Sequence, residues 1–163
     1  MGVREVAGRR LAAVLLSGLG LLTAVAAAAA TGDAPGAVML VEGYARPSVP
    51  GATIGAAYVT LRNAGDTDDR LTGVVTPLAE SAELRTTVAG TDGTPRQEPV
   101  PEGLPLPAGG LLPMGRDGDC IMLFGLDQPL VAGQRVLLRL IFDRAAPLDV
   151  TVVVDPTRET GLP

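Results

Sequence analysis

From residue 37 to residue 154 the sequence never sustains a helical period. Apolar runs of five to nine residues are cut repeatedly by proline, glycine or clustered acids. A helix with one buried face needs apolar residues at i, i+3, i+4 and i+7, whereas these runs alternate apolar and polar side chains, the period-two signature of a pleated strand. The pattern therefore confines the chain to short strands. Residues 38–44 form the first, ended by Arg46-Pro47-Ser48-Val49-Pro50-Gly51, because each proline fixes its own φ and pushes the preceding residue out of the helical region. Residues 56–63 follow, with Ala57, Val59 and Leu61 on one face and Tyr58, Thr60 and Arg62 on the other; this reads as a half-exposed strand.

After a turn at Ala64-Gly65-Asp66, residues 68–75 return. Residues 81–88 alternate cleanly, and Gly90-Thr91-Asp92-Gly93 closes them as a hairpin onto 94–98. The proline-rich stretch 99–113 can supply only extended edge strand and loop. The strand beginning at Cys120 comes next. The clearest strand of the chain then sets Val136, Leu138, Leu140 and Phe142 against Arg135, Leu137, Arg139 and Ile141. Residues 148–154 form the last. Eight or nine short strands with turn signals at this spacing predict an all-β, antiparallel sandwich, with Tyr58, Leu84, Phe124, Leu138, Leu140 and Val152 in its interior.

Residues 1–30 are expected to lie outside that domain. Arg4, Arg9 and Arg10 precede an apolar stretch over 11–22 and an alanine run ending at Ala28-Ala29-Ala30, the layout of a secretory signal helix. Left uncleaved, the segment is about long enough to anchor the chain in a bilayer, which would be its one contact with a membrane. Residues 31–37 read as a linker, 38–155 as the sandwich and 156–163 as a polar tail, in a protein placed outside the cytoplasm, secreted or periplasmic.

Charge and composition narrow the function. Of 18 acids and 13 basic residues, the leader takes Glu5 and three arginines, which leaves 17 against 10 and a net charge of −7. Such a surface repels phosphate backbones, so nucleic acid is not an expected partner. The chain has no histidine and no lysine, which removes the commonest general base together with the commonest metal ligand. It also has no Gly-x-Ser-x-Gly elbow and no phosphate-binding glycine loop, so no enzyme is expected. The acids at 66, 68 and 69 do not make an EF-hand, which would need glycine and glutamate where Leu71 and Pro77 stand; they read as a solvated turn.

One cysteine excludes an internal disulfide and leaves Cys120 either buried and inert or exposed and reactive. In a strand, Cys120 and Met122 share a face. Thiolate and thioether are the soft donors that suit Cu(I), and the same two residue types are common core packing. Spacing alone leaves both readings open.

The order of segments resembles a known family. Gly55-Ala56-Ala57-Tyr58-Val59-Thr60-Leu61-Arg62-Asn63-Ala64-Gly65-Asp66-Thr67-Asp68-Asp69-Arg70-Leu71, then Ala82-Glu83-Leu84, Pro107-Ala108-Gly109-Gly110, Ile121-Met122-Leu123 with Gly125-Leu126, and Pro147-Leu148-Asp149-Val150-Thr151-Val152 are similar to the PCu(A)C family of bacterial copper chaperones. The resemblance runs over about 41–154. It implies a cupredoxin-like Greek-key sandwich that holds Cu(I) outside the cytoplasm and serves cytochrome oxidase assembly proteins. Its copper ligands, a histidine with a neighbouring ligand, a methionine and a His-x-Met, fall here on Arg85 and Thr86, on Gln97, and on Cys120 and Met122, after a short insertion around 114–118. A persisting site would use Cys120 and Met122, helped by Met114 from the preceding loop. The resemblance implies that Arg85, Gln97, Cys120 and Met122 meet at one end of the sandwich, and the Arg85 charge would then lower the Cys120 pKa.

Overall fold

The computed structural model describes residues 37–158, and every regular element in that span is a strand. The signal or anchor segment expected at 1–30, most of the linker and the end of the tail lie outside the described residues. Ten strands run in order: β1 (Val38–Pro47), β2 (Ile54–Asn63), β3 (Asp69–Val75), β4 (Ala79–Ala89), β5 (Pro95–Pro99), β6 (Leu104–Leu106), β7 (Leu111–Pro113), β8 (Cys120–Leu126), β9 (Arg135–Phe142) and β10 (Leu148–Val154). They pair along the path β5-β4-β8-β2-β1-β10-β9-β3-β6, with β7 also on β2. This path closes on itself. Its two arms meet where β3 lies against β4 and β6 against β7, so β5-β4-β8-β2-β1 forms one layer and β10-β9-β3-β6 the other. Every pairing is antiparallel except that of β1 with β10, which is parallel, with Tyr44 opposite Val153. This pair joins the first strand of the domain to the last and so links the two layers.

β9 shows why the layers adhere. Val136, Leu138 and Leu140 have no exposed surface and Phe142 little, while Arg135, Leu137 and Arg139 face solvent. Each such burial contributes roughly 1.5–3 kcal/mol. Leu61, Leu71, Ile121, Leu123 and Val152 close the core from the other strands. Gly43 lets β1 cross this interior: a Cβ there would sit 2.7 Å from the Val152 Cγ1 and 3.1 Å from the Val59 Cγ1. The 90–93 hairpin forms as expected, closed by the Gly90 N–H donating to the Thr94 carbonyl at 2.8 Å.

Two expectations need correction. β2 is not half exposed: Tyr58 and Thr60, on the face read as solvent-facing, are 6% and 2% exposed, and only Arg62 projects outward. β2 is an interior strand, paired with β1 on one edge and with β7 and β8 on the other, and from residue 55 to residue 61 both of its faces are buried. Phe124 is half-buried and belongs to the outward side, not to the interior. The 66–69 turn is solvated as expected, with Asp66 and Asp68 exposed, and two of its acids also tie loops: Asp69 accepts the backbone N–H groups of Arg70, Arg144 and Ala145, and Asp68 accepts that of Ala108 at 2.8 Å. Beside them Asn63, 2% exposed, donates to the Thr67 and Leu106 carbonyls and accepts from Gly65 N–H. Short acidic and amide side chains thus join three loops that have no ladder of their own.

Candidate functional site

Register decides which side chains meet. β4 and β8 pair with Leu84 opposite Ile121, Arg85 opposite Cys120, Glu83 opposite Met122 and Ser81 opposite Phe124. Leu84, Ile121 and Leu123 point into the sandwich, so Arg85, Cys120, Met122 and Phe124 point out of it. On the other side of β8, Ala57 pairs with Ile121, which brings Tyr58 beside Cys120, and Tyr58 pairs with Tyr44 on β1. The outward face therefore carries one row, Arg85, Cys120, Tyr58 and Tyr44, next to another, Glu83, Met122, Ala56 and Arg46. Gln97 reaches the same face from β5 and lines a cleft with Met122, Tyr58, Arg46 and Arg116.

The four positions of the family's ligand set are thus brought onto one face of the layer. Thr86, the neighbour of Arg85, alternates to the other side. Met114 does not join them. Its N–H donates to the Val59 carbonyl at 3.1 Å, continuing the β7–β2 register in which Leu112 faces Leu61. That puts its side chain on the inward face, 3% exposed within the core. The insertion is a turn in which Gly115 N–H donates to Asp119 O and Gly118 N–H to Gly115 O, and it docks on β4 through Thr87, whose N–H and hydroxyl both donate to Gly118 O.

Cys120 has no exposed surface, and its thiol is pushed up to about 11. Burial is the largest cause, Asp119 adds to it, and Arg85 opposes both without prevailing. This corrects the expectation of an acidic, reactive cysteine: the thiolate is the nucleophile and the metal ligand, and here it is disfavoured. Arg85 is engaged elsewhere. Its guanidinium lies 5.5 Å from the Phe124 ring centroid and its Nε 3.2 Å from Glu83 Oε2, outside hydrogen-bonding geometry. On β1, Tyr44 packs its ring 5.0 Å from that of Tyr58, and Arg158 covers it at 5.0 Å while pairing with Glu42. The described part of the tail therefore folds back on this face, helped by Asp155 N–H donating to Ala45 O.

As a metal site this face is poor. Among the described residues no three of His, Cys, Asp and Glu come together to hold a metal ion. The face offers two sulfurs, one of them a buried thiol whose proton is held by burial, and an arginine at the position to which the resemblance assigns a histidine. A guanidinium has no lone pair to give and repels a cation.

The architecture is shared with copper-binding proteins. The copper-bound PCuAC domain from PmoF2 superposes with a TM-score of 0.61 at 21% identity, over 75% of this chain and 95% of that one. The Cu(I) form of DR1885 from Deinococcus radiodurans matches at 38% identity with a TM-score of 0.55, over 72% of this chain and 78% of that one. The fold is therefore that of the PCuAC copper chaperone domains. Residues 38–154 match the family described as "Putative lipoprotein LpqE-like". A relative in Leifsonia xyli subsp. xyli, named "Putative lipoprotein Lxx21020", is 31% identical over 144 residues, 88% of this chain and 85% of that protein. The chain belongs to the LpqE-like family.

Proposed function

We propose that this chain is an extracytoplasmic, envelope-side binding protein that keeps the copper-chaperone fold and the position of its ligand face but has exchanged the chemistry of that face. The observation that carries this reading is the Arg85–Cys120 pair, a guanidinium opposite a fully buried thiol. Export is supported by the leader-like segment at 1–30 and by the lipoprotein names of the family and of the Leifsonia relative. The sole cysteine, buried in β8, is no lipid attachment point, so any anchoring falls to the apolar leader itself.

A second reading keeps Cu(I) as cargo, held by sulfur alone through Cys120 and Met122 and passed to cytochrome oxidase assembly proteins, as the PCu(A)C resemblance implies. It is favoured by the placement of both sulfurs on one face and by copper-bound structures of the same fold. A Cu(I) titration against a competing chelator, with and without Cys120→Ala, separates the two. The first reading expects copper to stay with the chelator in both proteins. Capture of one equivalent, abolished by Cys120→Ala, would establish the second.

A further inference from the structure

The outward face of the β5-β4-β8-β2-β1 layer carries exposed apolar side chains at the end where β1 begins. Met39 of β1 lies opposite Arg62 of β2, and Arg62 lies opposite Leu111 of β7, so the arginine stands between two apolar neighbours in one row. Met39 is 45% and Leu111 49% exposed. Arg62, exposed between them, makes no ion pair among the described residues. In the adjoining row Leu40 pairs with Leu61 and Glu42 with Thr60, which leaves Val41 as an extra residue in the strand. Such a bulge sets two neighbouring side chains on one side, and Val41 is 46% exposed.

We propose that this patch rests on the headgroup layer of a phospholipid bilayer, an inference that depends on the reading that the chain is envelope-side and anchored by its leader.

Two observations choose that occupant. The first is chain length. Only residues 31–36 separate the described domain from the apolar leader expected at 1–30, and a linker of that length spans about 20 Å when fully extended. A leader held in a bilayer therefore keeps the start of β1 within that distance of its surface. The second is charge. A lipid surface sets phosphate oxygens above an apolar layer, and an arginine flanked by apolar side chains complements both. No acid occupies the row of Arg62. Glu42, in the next row, is paired with Arg158. Asp66 and Asp68, in the turn after β2, accept the Thr67 hydroxyl and the Ala108 N–H. A second copy docked symmetrically on the patch would instead set Arg62 against Arg62.

The test uses the full chain reconstituted into phosphatidylcholine vesicles that contain phosphatidylglycerol. Cys120 has no exposed surface, so Met39→Cys, Leu111→Cys and, on the other layer, Leu137→Cys can each carry a fluorescent label. Lipids bearing a headgroup quencher then report which label nears the surface, and unchanged circular dichroism shows each variant folded. Flotation comes first: a chain left in solution would overturn the anchoring reading and this inference with it. On floated chain, quenching at residues 39 and 111 should be several-fold stronger than at residue 137. Arg62→Gln in the Leu111→Cys chain should weaken the contact about fivefold, the weight of one cation at an anionic surface, and Arg62→Lys should keep most of it. Equal quenching at all three residues would overturn the patch and leave the anchoring standing. A label at residue 111 that becomes buried as protein concentration rises, before any lipid is added, would overturn it as well and assign the patch to a second copy.

Discussion

The two faces of β8 differ in the company they keep. Inward, Ile121 and Leu123 are completely buried among aliphatic side chains from both layers. Outward, Cys120, Met122 and Phe124 lie among arginines, two tyrosines and a glutamine. One strand thus packs into the core with its odd residues and sets its even ones among polar side chains. The difference teaches that a fold can be conserved by one face alone, since nothing in the interior depends on which side chains occupy the other. On the proposed reading, this chain shares the architecture of the copper-bound PCuAC domains while its outward face does different chemistry.

The largest test of that contrast is truncation on either side. Leu123→Ala should cost about 2–5 kcal/mol by chemical denaturation, through lost burial and the cavity left behind. Met122→Ala, half-exposed one residue away, should cost well under half as much. Equal costs would mean that the outward face is core as well, and the separation would fail.

A smaller effect comes from alkali. The folded Cys120 thiol holds its proton to about 11 against an ordinary value of 9.0, so the folded state binds that proton more tightly than the unfolded state. Its contribution is whole below about pH 9 and is lost as pH rises through about 11, on the order of 2 kcal/mol in all. The buried hydroxyls of Tyr44 and Tyr58, also raised by burial, act in the same direction. Cys120→Ala should flatten the stability curve over this window, and native alkylation at pH 8 should be far slower than in denaturant. Fast native alkylation would mean that Arg85 governs the thiol after all.

The smallest effect is expected on the other layer. Arg139 and Asp149 form a two-point pair at 2.6 and 2.7 Å on the exposed side of β9 and β10. Asp149→Asn should leave the denaturation midpoint almost unmoved, because exposed pairs are screened by solvent. A large shift would show that the outer charges of that layer hold the strands in register.

Much of the fold was legible because alternation reports burial directly wherever one face meets solvent, as in β9 and β10. It misread β2 for a physical reason. Tyr58 is flanked by Tyr44 of β1 and lies beside Cys120 of β8, and Thr60 is flanked by Glu42 and Pro113, and local period cannot see neighbours that come from elsewhere in the sequence. Met114 shows the same limit: a methionine six residues before Cys120 looks available, yet its pairing with Val59 turns it inward. What was legible of the candidate site is that Arg85, Gln97, Cys120 and Met122 share a face. Its electrostatics were not, because the thiol answers to burial and to Asp119 before it answers to Arg85. The arginine-lined cleft was missed altogether. Arg46 and Arg116 lie 70 residues apart in sequence, and only the β1–β2–β8 register brings them together.

The central claim is that the ligand face stands where the copper-binding fold puts it and that only its side chains have changed. The most direct test is to restore them: Arg85→His and Gln97→Met together return an imidazole and a thioether to positions that already neighbour Cys120 and Met122. Cu(I) competition against a chelator should then show one equivalent bound by the double variant and none by the parent chain. A double variant that stays as inert as its parent would show that the positions have drifted apart. A parent that already binds as tightly as the variant would show that the face never lost its metal.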